Sequence, residues 1–379
     1  MTRQPNAIDF WRGFALITIF VDHIPGLVYS RYTLINFSFS DAADLFVFLA
    51  GWSLRLMADG GGRHMPTRDV MMRLLARALE LYAAQVLITM LAIAMLALTS
   101  IELDNPLLLE WHNAAAVFND PVPTHIGLAT LTHQLGYFDI LPLYVALMLM
   151  APAFALIDRL APNWLLPASA TLYAAALAFR LTLPTWPVSG TWFFNPLAWQ
   201  FVFVLGFVLA KDEGIGGWVR RHIGAIRLVA LPVLALATIA VLFDWWFDPT
   251  QVPNPKLFFI LDKTNVTPPR LIQFLSLIAV FSIAFRYISM AADKAVTRSV
   301  ISGVIAVLAM LGRNSLYVFC IGSLLSLTGQ IVRFAYRGTV GVDTAVVIFG
   351  IIIMVFTAWL AESRQRARPA TPAQSAQRS

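Results

Sequence analysis

Arg12 and His23 are the residues of this chain whose types and spacing suit chemistry. They stand eleven positions apart in the apolar stretch 8–28, which also carries Asp9 and Asp22. A helix turns about 100° and rises about 1.5 Å per residue, so Arg12 and His23 share a face, offset by about 20° and about 16 Å apart along the axis. Asp9 joins that face within about 40° of His23. Ionisable groups are expensive in hydrocarbon and turn towards a protein interior, where they pair or serve a site. A histidine accepts a proton near neutral pH, and a nearby carboxylate fixes its tautomer and stabilises its charged form. An interfacial arginine beside a structural histidine is the competing reading, and periodicity does not separate the two.

Candidate partners for His23 are close in sequence. Asp22 is adjacent but points about 100° away on an ideal helix. Asp41 and Asp44, in N-F-S-F-S-D-A-A-D at 36–44, open the next apolar segment, and the short connection lets either fold back towards His23. Ser40 and Asp41 also have the chemistry of an N-cap, so helix capping accounts for them equally well. His133, ahead of Gly136-Tyr137-Phe138-Asp139, is a second candidate for handling substrate. His112, His125 and His133 are spaced by thirteen and eight residues, without the compact pattern of a zinc site, and no metal is expected. Arg55, Arg63, Arg68, Arg73 and Arg77 concentrate positive charge around the third apolar segment. Topology signalling and anionic-lipid contact explain such a cluster, and the same charge would steer a phosphate-rich donor.

The elements that must position these residues are membrane helices. The 379 residues are 59% hydrophobic and 13% charged, with mean hydropathy +0.72, against about 25% charged in soluble domains. This predicts an all-α polytopic bundle of about ten spans, near 8–28, 43–58, 70–98, 137–157, 164–181, 196–210, 225–243, 270–290, 314–333 and 343–361. Positions 299–333 are almost continuously apolar apart from Arg313 and Asn314, which predicts a broken or interfacial segment to Gly312 and a span from about Asn314. Gly51 allows close helix contact, or room for a chain-like ligand. The single cysteine, Cys320, excludes a disulfide framework.

Net charge +6 and a pI near 9.7 reflect basic loops rather than a nucleic-acid surface. Most of the 27 Lys and Arg fall on the side of the N-terminus, including Arg3, Arg286, Lys294 and Arg298. The positive-inside rule then puts both termini in the cytoplasm, Arg12 near the inner surface and His23 in the outer half. Residues 1–361 form one transmembrane unit, and 362–379 read as a disordered cytoplasmic tail. Gly60-Gly61-Gly62 with Arg63 and His64 is a tight turn, too short in glycine for a phosphate loop. The Pro-punctuated segment 100–134 predicts an ordered cap or a re-entrant piece. Segments 182–196, with Trp186, Trp192 and Asn195, and 244–270, with Trp245 and Trp246, carry aromatics that belong to an interfacial belt or stack on sugar rings.

The stretch I-D-F-W-R-G-F-A-L-I-T-I-F-V-D-H-I-P resembles the first helix of the membrane acyltransferase-3 superfamily, in which ten residues separate an Arg from a His, matched here by Arg12 and His23. Four further pieces are similar to OpgC-type proteins, the succinyltransferases of osmoregulated periplasmic glucans. They are N-F-S-F-S-D-A-A-D-L-F-V-F-L-A-G at 36–51, H-Q-L-G-Y-F-D-I-L-P-L-Y at 133–144, F-N-P-L-A-W-Q-F-V-F-V-L-G at 194–206 and L-G-R-N-S-L-Y-V-F-C at 311–320. No added hydrolase-like domain of the kind attached to some superfamily members is seen.

The resemblance implies acyl transfer across a bacterial inner membrane. The donor would be cytoplasmic succinyl-CoA or another acyl-CoA, the acceptor a hydroxyl of a periplasmic glucan or related glycan, with membrane lipids around the bundle and no tightly bound cofactor. His23 would be the general base, oriented by Asp41, Asp44 or Asp22. Arg12, with Arg73 and Arg77, would hold the donor, and His133, Asp139, Trp192 and Asn195 would face the acceptor. The competing functions are O-acetylation of another envelope glycan and non-enzymatic transport of a glycan or lipid, although no inverted repeat or pair of broken helices supports transport.

Overall fold

The computed structural model describes residues 6–59, 65–245, 248, 250–292 and 298–367. Arg3, the turn at 60–64, Trp246, Lys294 and the tail from 368 lie outside the described residues. Three helices open the fold: α1 (Ala7–Asp22), α2 (Ala42–Ala58) and α3 (Thr67–Glu102). A 3-10 turn (Pro106–Asn113) and the short α4 (Ala115–Asn119) and α5 (Pro121–Ala129) follow within the Pro-punctuated segment 100–134. Next come α6 (Ile140–Leu160), α7 (Pro162–Phe179), α8 (Pro196–Leu209), α9 (Gly214–Arg221) and α10 (Ile223–Leu242). The last are α11 (Pro268–Phe281), α12 (Ala284–Ala292), α13 (Arg298–Arg313), α14 (Ser315–Tyr336) and α15 (Val340–Ala367). A two-stranded hairpin pairs Pro184 with Thr191 and Thr185 with Gly190. The architecture is otherwise helical.

Among the described residues five helices are long and apolar enough to cross a membrane: Thr67–Glu102, Ile140–Leu160, Ile223–Leu242, Ser315–Tyr336 and Val340–Arg364. This corrects the expected ten. Pro196–Leu209, Pro268–Phe281 and Val300–Arg313 are apolar but shorter. Helices α1 and α2 have 16 and 17 residues, below the roughly 20 that cover a hydrocarbon core.

Local chemistry explains where the boundaries moved. The first helix stops at Asp22 rather than continuing to 28. Pro25 disfavours helical geometry at the residue before it, and Gly26 takes φ +74°. The expected span 270–290 is divided between α11 and α12. The break near Asn314 is present: Asn314 leaves helical geometry (ψ 31°) and its Nδ2 donates to the Met310 carbonyl at 2.9 Å. The last helix continues beyond 361, and Glu362 pairs with Arg313 at 2.7 Å. The helix is described as far as Ala367.

Glycine sets the closest helix contacts. A Cβ on Gly13 would sit 1.9 Å from the Leu308 carbonyl oxygen, and one on Gly312 would sit 1.9 Å from that of Asp9, so α1 and α13 touch backbone to backbone. Gly51 plays the same part between α2 and α8, 1.9 Å from the Phe203 carbonyl by the same measure. Close packing, not ligand space, is its role. Helix α1, carrying Arg12 and His23, is thereby enclosed by α2, α13 and α14.

Candidate active site

Two cavities border α1, one at its C-terminal end and one at Arg12 in its N-terminal half. The first, about 380 Å³, is lined by Asp22, His23, Asp41, Gly136, Tyr137, Asp139, Phe193, Phe194 and Lys263, with Ile19, Ile35, Ala42, Ala43 and Ile140. His23 is the C-cap of α1, and its Nδ1 is buried without a hydrogen-bond partner among the described residues. Asp22 contributes a second such atom, Oδ1. Buried polar atoms are nearly always satisfied, so two exceptions on consecutive residues facing one cavity call for a partner, water or ligand, within it. Tyr137, held at φ +65°, lays its ring 4.9 Å from that of His23. His112 packs against the same tyrosine at 5.3 Å.

Asp41 and Asp44 are fixed by the start of α2. Asp41 is the N-cap: its side chain accepts from the Ala43 N–H at 2.9 Å, while Asp44 accepts from the Asp41 N–H at 2.9 Å, closing a capping box. Cations neutralise both carboxylates. Lys263 reaches Asp41 at 2.6 Å, and Arg270 reaches Asp44 at 2.5 Å and Asp41 at 3.3 Å. Lys263 also stands over the Phe193 and Phe194 rings at 5.7 and 5.5 Å. Asp41 thus lies on the cavity, whereas the fully buried Asp44 faces Arg270 behind it.

The second cavity, about 480 Å³, brings together Arg12, Arg73 and Arg77 with Ser53, Glu80, Tyr144, Ser315 and Phe319. Arg12 donates to Ser53 Oγ at 2.5 Å and to the Leu49 carbonyl at 3.3 Å. Arg77 pairs with Glu80 at 2.6 Å. Three guanidiniums against one carboxylate leave the lining cationic, as a phosphorylated ligand requires. Arg55 is committed elsewhere, to Asp59 at 2.8 Å and to Asp158, and Arg68 is exposed.

The remaining sequence candidates have other partners. His133 is buried, with Nε2 3.2 Å from the Asn113 carbonyl. Asn195 is fully buried as the N-cap of α8, its Nδ2 donating to the Leu181 carbonyl at 2.7 Å and to Asn265 Oδ1 at 2.9 Å. Trp192 is buried beside it, and its neighbours Phe193 and Phe194 line the cavity instead. Sequence reasoning missed Lys263, Tyr137 and Gln330. Gln330 donates from Nε2 to the His23 carbonyl at 2.6 Å and holds His112 at 2.8 Å through Oε1. A glutamine within an apolar helix was the signal available for the last of these.

No curated protein and no solved structure matched the sequence. The family described as OpgC protein matches residues 3–366, nearly the whole chain. The chain belongs to the OpgC family.

Proposed function

We propose that the protein is a polytopic inner-membrane O-acyltransferase that moves a succinyl group from cytoplasmic succinyl-CoA to hydroxyls of periplasmic glucans. Membership of the OpgC family fits acyl transfer, and the long apolar helices fit a membrane location. The observation that carries the reading is that one helix borders a cationic cavity at Arg12 and a histidine–carboxylate cavity at its C-terminal end, at Asp22 and His23. In this reading the shorter helices also cross the bilayer, both termini are cytoplasmic and the arginine cavity opens inwards.

His23 takes the proton of the acceptor hydroxyl as its oxygen bonds to the thioester carbonyl carbon. The C–S bond then breaks, and the departing thiolate takes the proton from the imidazolium. Such base assistance supplies about 10²- to 10⁴-fold. Asp22 and Asp41 stabilise the charged imidazole, and Lys263 keeps Asp41 ionised. Arg12, Arg73 and Arg77 hold the donor's phosphates, and Asp139 with Phe193 and Phe194 borders the acceptor. Asp44, His133, Trp192 and Asn195 support the site from behind.

The test is mass spectrometry of glucan incubated with reconstituted protein and isotopically labelled succinyl-CoA or acetyl-CoA. Ester-linked labelled succinate is the expected product. Labelled acetate alone would reassign the donor, and unmodified glucan crossing the vesicle membrane would replace transfer with transport.

A further inference from the structure

The hydroxyl of Tyr144 is buried and has no hydrogen-bond partner among the described residues. Tyr144 stands on α6 one turn beyond Ile140. Ile140 lines the His23 cavity and Tyr144 lines the arginine cavity. Helix α2 repeats the arrangement, with Ala42 and Ala43 on the first cavity and Phe46 on the second. Phe46 packs against the Tyr144 ring at 5.5 Å and against Phe319 at 6.2 Å. An aromatic partition therefore separates the cavities, and it carries a phenolic hydroxyl.

An unsatisfied buried hydroxyl weakens a fold and calls for a specific explanation, such as a ligand that completes it. The geometry says what that ligand offers. A thioester that enters from the arginine cavity and is attacked from the His23 cavity must present its carbonyl at this partition. A phenol O–H is a donor and a carbonyl oxygen an acceptor. Between apolar rings, a fixed donor acts on developing charge far more strongly than in water.

Resting on the acyl-transfer reading above, we propose that the Tyr144 hydroxyl donates a hydrogen bond to the thioester carbonyl oxygen and stabilises the oxyanion of the tetrahedral intermediate. As the acceptor oxygen bonds to the carbonyl carbon and its proton passes to His23, the C=O electron pair moves onto the oxygen that Tyr144 holds. The pair returns when the C–S bond breaks. Tyr144 is then a catalytic residue of the transfer.

The test is Tyr144→Phe, which removes the hydroxyl and keeps the ring. Because Oη has no partner to lose among the described residues, the unfolding temperature should be unchanged or higher. Turnover should fall about 10²- to 10³-fold, as for loss of one oxyanion donor. Affinity for an unreactive CoA thioether, which has no carbonyl, should stay at the parental value. The carbonyl stretch of ¹³C-labelled thioester bound to parental protein should lie at lower frequency than in the variant. Parental turnover overturns the proposal, as does a loss of turnover accompanied by weaker thioether binding or a lower unfolding temperature. If the parental protein makes no ester at all, the acyl-transfer reading fails instead, and the infrared comparison still decides what Tyr144 contacts.

Discussion

Gln330 Nε2 donates to the backbone carbonyl of His23 at 2.6 Å, so α14 fixes the end of α1 where the imidazole begins. The amide nitrogen is used there, which leaves Oε1 to accept from His112 Nε2 at 2.8 Å. His112 must therefore carry its proton on Nε2. Burial holds its imidazole below the ordinary histidine pKa, so it is neutral at neutral pH. Replacing Gln330 by Ala leaves the His23 carbonyl unsatisfied, at a cost of about 1–3 kcal/mol. Turnover should fall about tenfold through misplacement of the ring, with the donor KM unchanged. Steady-state kinetics showing parental turnover in Gln330→Ala would remove this positioning role.

Asp44 is a structural carboxylate in this account. It is fully buried and ion-paired with Arg270. Removing one partner of a buried pair strands the other charge, at about 3–5 kcal/mol. Arg270→Ala should lower the unfolding temperature sharply, and the double variant Arg270→Gln with Asp44→Asn should regain part of it. Thermal unfolding in detergent checks both, and a single variant as stable as the parent would contradict the assignment.

The glycine contacts make a graded prediction. Gly13→Ala and Gly51→Ala place a Cβ 1.9 Å from a backbone oxygen, and overpacking of this kind costs about 1–3 kcal/mol. Gly303→Ala meets nothing within 4 Å, and helix propensity favours it by up to about 1 kcal/mol. Unfolding temperatures should fall for the first two and hold or rise for the third. The reverse order would refute the packing described for α1 and α2.

In the proposed reading Arg73 and Arg77 hold the donor. Arg73→Gln and Arg77→Gln should each raise the KM for acyl-CoA about tenfold, equivalent to about 1.4 kcal/mol, with the acceptor KM unaltered. The effect should shrink as salt rises, because exposed charges are screened. A change confined to the acceptor KM would place these arginines in a different role.

Much of α1 was readable because one helix has one period. The face shared by Arg12 and His23 needs no tertiary information, and the capping chemistry of Asp41 marks the start of α2 equally locally, although Ser40 turns instead to Gln273. What sequence reasoning could not supply comes from distance along the chain. Arg270 reaches Asp44 across 226 positions, and Gln330 reaches His23 across 307. Lys263 comes from a loop with no periodic pattern to reveal its direction. Asn195 and Trp192 carried the same polar and aromatic signal as a sugar site, but Asn195 caps α8 and Trp192 is buried at its approach. Helix lengths were overestimated for a related reason: apolar composition continues across Pro25 and across the junction of α11 and α12, where the helix does not.

The central claim is that the His23 imidazole accepts the proton of the attacking hydroxyl. The direct measurement is ester formation by purified His23→Ala protein, reconstituted beside the parent with glucan and labelled succinyl-CoA, after both are found to unfold at similar temperatures. The account predicts labelled ester from the parent and a rate lower by about 10²-fold or more in the variant. Ester formation by the folded variant at the parental rate would contradict it.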